Sequence, residues 1–160
     1  MRLITDVLLV LAVIGMLAGA LWYKRQLDRD EAKIRQAEQA VSRFQQEIDL
    51  QSVIAEAKDG RRAYPASIDP EWFQGDVPVN PLLGEDHPWV EIASKSQAER
   101  LHPPKVIAAE PEVAGFWYNP HKGVVRARVP VEISDEKALA LYNRINRCYL
   151  DTLFQVDEDD

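Results

Sequence analysis

Cysteine is the scarcest informative residue in this chain of 160. Only Cys148 is present, so no internal disulfide can form and the fold must be held by packing. In a helical context that thiol reads as a small apolar core residue. Basic excess is missing as well, with 19 Lys and Arg against 26 Asp and Glu and a formal charge of −7. Phosphate binding needs clustered cations, and the run Val156-Asp157-Glu158-Asp159-Asp160 would repel phosphate, so a nucleic-acid partner is not expected. The same acidic run reads as a solvated end rather than a Ca²⁺ ligand set. Catalytic signatures are lacking too. His87, His102 and His121 are scattered, and no HExxH, CxxC, GxSxG or phosphate-loop pattern occurs. No cofactor, metal, small-molecule substrate or enzymatic activity is therefore expected, and there is no internal repeat.

Helix breakers are the next absence. No proline precedes Pro65 and no glycine lies between Gly19 and Gly60, which predicts one continuous helix from about Leu3 to Lys58. Its first part, Leu3 to Tyr23, is an almost unbroken apolar run of roughly 21 residues, about 31 Å as a helix, which matches the hydrocarbon thickness of a bilayer. Leu21-Trp22-Tyr23-Lys24-Arg25 ends it as an aromatic and basic interfacial anchor, unlike the small-residue cleavage site of a signal peptide. The rest of the chain is too small to wrap such a helix on all sides, so residues 1–23 read as a retained transmembrane anchor facing membrane lipid. Asp6, an acid within this run, must lie at the interface or find a cationic partner. Gly15 and Gly19, four apart beside Ala12, Ala18 and Ala20, would let another helix approach closely. These three are the candidate subunit-packing residues.

Residues 24–60 read as an amphipathic stem. Leu27, Ile34, Ala37, Val41, Phe44, Ile48 and Ala55 recur on alternating three- and four-residue steps, with Arg29, Asp30, Glu31 and Lys33 on solvated faces. Alanines in the stripe, and polar Asp30 and Gln51 at heptad positions, weaken it as a coiled-coil seam. The expectation is that Ile34, Val41, Phe44 and Ile48 pack on the chain's own head or on neighbours in an assembly. Gly60 supplies the stop, and span plus stem would make a helix of about 55 residues, roughly 80 Å long.

Residues 61–160 read as a globular head with an acidic tail. Between Tyr64 and Pro88 the density of proline excludes a long regular element and predicts an ordered loop pinned by Tyr64, Trp72, Phe73 and Leu82. Trp89-Val90-Glu91-Ile92-Ala93 alternates as a short strand, and Val106-Ile107-Ala108 is a weaker candidate. Phe116-Trp117-Tyr118, the turn at Asn119-Pro120-His121-Lys122-Gly123 and Val124 to Val129 read as an antiparallel hairpin, with Val125, Ala127 and Val129 pointing one way and Arg126 and Arg128 the other, a basic pair that could bind an acidic partner but is more often a solvated face. Ser134 followed by Asp135-Glu136 starts a helix predicted to reach about Phe154, with Leu139, Tyr142, Ile145, Tyr149 and Leu153 as its core face. The fold class expected is α+β: a transmembrane helix continuing into a stem, a small antiparallel-sheet head and a C-terminal helix.

The stretch from Met1 to Ala18, ending in Ile14-Gly15-Met16-Leu17-Ala18, resembles the opening of the type IV pilin and type II secretion pseudopilin family. Aligned without a gap, Asp6 falls on the family's acidic position, which implies that it neutralises the cationic N-terminus of an adjacent subunit. Tyr64-Pro65-Ala66-Ser67-Ile68, Val77-Pro78-Val79-Asn80-Pro81 and Trp117-Tyr118-Asn119-Pro120 to Gly123 look like pseudopilin head segments. The resemblance implies a pilin-like subunit of a type IV pilus or type II secretion machine. Its partners would be other pilin-like subunits and inner-membrane assembly proteins, and it would lie in the bacterial inner membrane with a periplasmic head. Lys24, Arg25 and Arg29 outnumber Arg2 across the span and by charge alone favour a cytoplasmic head. Met1 and Arg2 stand where the family has Gly and Phe at its cleavage site, which sets beside the filament subunit an uncleaved bitopic scaffold of the same machinery.

Overall fold

The computed structural model describes residues 2–60, 63–84 and 86–153, and the side chains of all of these except 2–12 and 59. Helix α1 runs over Arg2–Asp59, as the missing breakers predict. It stops where Gly60 takes a φ of 66° and its N–H reaches the Glu56 carbonyl at 2.8 Å. The chain divides into two compact units, residues 1–33 and 34–160. Among the described residues no helix is long and apolar enough to cross a membrane. Residues 3–12 of the apolar run lie outside those whose side chains are described, as does the Asp6 carboxylate.

The second unit is α+β. Its sheet has the order β1 (Val90–Ile92), β2 (Phe116–Asn119), β3 (Val124–Ala127). The hairpin β2–β3 is antiparallel with Phe116 opposite Ala127 and Tyr118 opposite Val125. Its turn depends on Gly123, whose φ is 65° and whose missing side chain leaves room for the Tyr64 ring. The sheet is mixed rather than antiparallel, because β1 lies parallel to β2, with Val90 opposite Phe116. A parallel neighbour needs a long crossover, and residues 93–115 supply it. The weaker strand candidate survives as a single parallel bridge, Ile107 to Val129.

Alternation places Phe116, Tyr118, Val125 and Ala127 on one face of the sheet, where they form one buried cluster with Ala37, Val41, Phe44 and Ile48 of α1. The proline-rich loop closes this layer. Asp69 accepts from the Glu71 N–H to start a 3-10 turn over Pro70–Phe73, and Phe73 is buried beneath it. On the other face Arg128 is 1% exposed, so the expectation of a solvated basic face fails there. The crossover covers that face and is bound to it. Arg128 Nε donates to the Lys105 carbonyl (2.7 Å), Nη1 to the Ala114 carbonyl (2.9 Å) and Nη2 to Glu91 (2.6 Å). Asn119 Nδ2 lies 2.8–3.1 Å from the carbonyls of Gln97, Ala98 and Arg100. A buried cation is tolerated when every side of it meets an acceptor.

Helix α2 spans Asp135–Asn146. Ser134 caps it as expected, accepting from the Lys137 N–H. It ends at Asn146, about two turns short of Phe154, with Arg147 left-handed at a φ of 47°. The cause is Asn143, whose side-chain amide donates to the Leu150 carbonyl (2.9 Å) and accepts from the Leu150 N–H (2.8 Å), turning the chain back. Tyr142 and Ile145 are buried as the core face requires, but Tyr149 lies beyond the helix and is exposed. Cys148 also follows the helix and is half-buried against Asn143, where burial pushes its thiol up.

Candidate assembly surfaces

The first unit consists of the leading part of α1. From Val13 to Leu27 every large apolar side chain is open: Val13 at 48% is the most covered and Met16 at 75% the least. Ile14, Leu17 and Leu21 share one face by their three- and four-residue spacing, and Trp22 and Tyr23 follow before Lys24 and Arg25. A Cβ added at Gly15 or Gly19 would meet nothing within 4 Å, so both glycines present bare backbone to whatever lies alongside. Leu27, expected on the packing stripe, is half exposed.

In the second unit the stripe is buried from Ile34 onward: Ile34 is partly covered, Val41 nearly closed, and Phe44 and Ile48 fully enclosed. Phe44 is the hub. Its ring stacks on Trp89 at 5.3 Å and meets Phe73 and Phe116 edge-on at 5.4 and 5.3 Å. Polar contacts frame the seam, with Arg43 paired to Asp76 and Arg144 Nε donating to Glu38 at 3.0 Å. Past the seam, Leu50, Val53 and Ile54 form a second apolar strip that remains exposed.

The free edge of β3 is closed by side chains. Gln45 of α1 donates to the Gly123 carbonyl (2.7 Å) and accepts from the Val125 N–H (3.0 Å). Asn146 of α2 accepts from the Ala127 N–H (2.7 Å) and donates to its carbonyl (2.9 Å). Arg126 Nη1 donates to the Val125 carbonyl at 3.1 Å. Each amide mimics a neighbouring strand, which removes a template for edge-to-edge pairing. Gln45 and Asn146 hold the fold yet no pattern singles them out, whereas the pattern that marks Arg128 points it to solvent. A glutamine within a helix carries no local sign that its amide will meet a strand far along the chain.

Three further features could hold a ligand. A cleft of about 680 Å³ is lined chiefly by Val77, Val79, Pro81, Leu83, Trp89 and Phe116, with His87 Nδ1 set 2.8 Å from the Val113 carbonyl. His102 Nδ1 lies 3.0 Å from the Tyr142 hydroxyl. Burial, then the charge of Arg126, hold that imidazole below its ordinary value of 6.5, while burial pushes the Tyr142 phenol up. The third is a groove of about 270 Å³ between α1, β3 and the end of α2, lined by Arg126 and Arg147. His87, His102 and His121 do not converge, and among the described residues no group of three His, Cys, Asp or Glu could hold a metal. The acidic run from 157 to 160 lies outside the described residues.

Comparison with protein-family models, curated proteins and solved structures finds no match for this chain.

Proposed function

We propose that the chain is a pilin-like subunit, of the pseudopilin or minor-pilin kind. Residues 3–23 anchor it in the bacterial inner membrane, the head faces the periplasm, and it works without catalysis. Its task is lateral assembly with other pilin-like subunits and inner-membrane assembly proteins of a type IV pilus or type II secretion machine. One observation carries the reading: along 13–27 every large apolar side chain described on α1 is exposed. Apolar surface of that extent requires lipid or protein against it. Further support comes from α1 continuing unbroken into the aromatic seam at Phe44, and from the hairpin at Trp117-Tyr118-Asn119-Pro120 to Gly123. In this assembly Asp6 pairs a cationic group and Gly15 and Gly19 admit the neighbouring helix.

Asp6→Ala and Gly15→Leu test the reading in cells that carry the machinery. Each is expected to lower co-purification and crosslinking to other pilin-like subunits while membrane insertion persists, because losing a charge partner or bare backbone weakens association but leaves the span apolar. Protease added to spheroplasts is expected to digest the head. Full crosslinking and full pilus or secretion activity in both variants would sink lateral assembly through this helix. The uncleaved scaffold, whose head alone recruits partners, would then stand in its place.

A further inference from the structure

Strand β1 is the open edge of the sheet. The Trp89 carbonyl accepts from the Phe116 N–H (3.0 Å), and the Ala93 N–H donates to the Tyr118 carbonyl (2.8 Å). In a parallel ladder only alternate residues bond a given neighbour, so with Val90 opposite Phe116 and Ile92 opposite Tyr118 the backbone of Glu91 is spent on β2. The N–H and C=O groups of Val90 and Ile92 therefore point away from the sheet, and among the described residues nothing bonds them. No residue of β1 is buried and Ile92 is exposed, whereas β2 is buried throughout. The opposite edge, at β3, has its outward groups met by Gln45, Arg126 and Asn146. Outward donors and acceptors in alternation are what a further strand takes up.

A cleft opens on each face of this edge. On the face of Phe116 lies the apolar cleft, which Pro88 and Trp89 line as the chain enters β1. On the face of Glu91 a cleft of about 420 Å³ sets Glu91, Glu110 and Glu112 against Lys105 and Arg128. Both cations there are engaged, Arg128 by Glu91 at 2.6 Å and Lys105 by Glu110 at 3.5 Å, while Glu112 has no ion-pair partner among the described residues. We infer that β1 binds an extended segment of a partner protein as an added strand, with basic and apolar side chains alternating along that segment. Backbone pairing to Val90 and Ile92 supplies the grip, and alternate side chains supply the selectivity: the apolar set enters the cleft at Trp89, and the basic set meets Glu91 and Glu112. A second copy of β1 is the wrong occupant. Two-fold antiparallel pairing through the Val90 and Ile92 groups would set two Glu91 carboxylates opposite each other, and like charges so placed destabilise a strand pair. The surface is separate from the apolar helix, so it stands or falls apart from the membrane reading.

The test uses the full chain in a non-ionic detergent, with a labelled peptide in which lysine and valine alternate as probe. Binding is read by fluorescence anisotropy and by hydrogen exchange at the Val90 and Ile92 amides. The peptide is expected to bind and to slow exchange at both amides, and the same peptide N-methylated throughout, or with glutamate in place of lysine, should do neither. Ile92→Pro should weaken binding by about tenfold or more, because it removes an outward donor but no bond to β2. Glu112→Gln should weaken it by about twofold to fivefold, and it stays informative if Ile92→Pro unfolds, since Glu112 is exposed. Absent binding, binding that leaves exchange at Val90 and Ile92 unchanged, binding indifferent to both substitutions, or equal binding of the N-methylated peptide would overturn the inference. So would protection of the two amides that grows with protein concentration when no peptide is present, because a second copy would then hold the edge.

Discussion

Truncating Phe44 tests the seam that joins the stem to the sheet. The ring is fully buried and lies within 5.4 Å of Phe73, Trp89 and Phe116, so Phe44→Ala removes one member of four interlocked aromatics and leaves a cavity that three rigid rings cannot collapse into. Such truncations cost about 3–5 kcal/mol, a large part of the roughly 5–15 kcal/mol that holds a domain together. At about 4 °C per kcal/mol for a unit of this size, the thermal midpoint should fall by about 12–20 °C. The assay is thermal unfolding of a fragment comprising residues 24–160, followed by near-ultraviolet circular dichroism, which reports on Trp89. Leu50→Ala is the control. That side chain is 51% exposed on the same helix, and its loss should cost under about 1 kcal/mol. If Phe44→Ala lowers the midpoint no more than Leu50→Ala does, the stripe does not hold the head and the reasoning is refuted. Phe44→Asp adds an unpaired charge to the same cavity and should leave no cooperative transition.

Three more outcomes follow from the geometry. Asn146→Ala strips both partners from the Ala127 backbone, so it should destabilise the head by about 1–3 kcal/mol and raise concentration-dependent aggregation, measured by light scattering, through the uncovered edge. Gly123→Ala forces a side chain into the Tyr64 ring at a φ of 65° and should cost more than about 1 kcal/mol in urea unfolding, whereas Gly84→Ala, with open space around it, should be near neutral. His102 is held neutral, with its folded pKa below the ordinary 6.5, so the unfolded chain binds the proton more readily. Its contribution is therefore fully present above about pH 6.5 and lost as pH falls through the folded value, and His102→Gln should flatten the stability profile below about pH 6.5. An unaltered profile in that variant would show that other groups govern the acid limb.

Exposed apolar surface along 13–27 and its burial from Ile34 onward lie on one helix, yet they answer to different partners. The buried stretch finds its partner within the chain, in the face of the sheet that carries Phe116, Tyr118, Val125 and Ala127. The exposed stretch has none among the described residues, which is why its function is sought outside the chain.

Sequence by itself determined the features whose causes lie within a turn or two of chain. The absence of Pro before Pro65 and of Gly between Gly19 and Gly60 specified α1, Ser134 specified the start of α2, and the turn closing at Gly123 specified the hairpin, because each depends on local backbone energetics. The three-and-four spacing of Ile34, Ala37, Val41, Phe44 and Ile48 likewise marked the face that is buried. Tertiary structure alone decided the rest. Whether β1 lies parallel or antiparallel depends on the path of residues 93–115, which no spacing rule encodes. Alternation told that Arg126 and Arg128 share a face, but not that the crossover would bury one in a full set of acceptors while the other keeps a buried donor without a partner among the described residues. Helical periodicity likewise ran on to Tyr149 and Leu153, while the Asn143 amide capturing Leu150 ended α2 at Asn146. In each case a polar side chain found its partner through space, and hydrogen bonds of that kind are set by which surfaces meet rather than by the period of the residues along the chain.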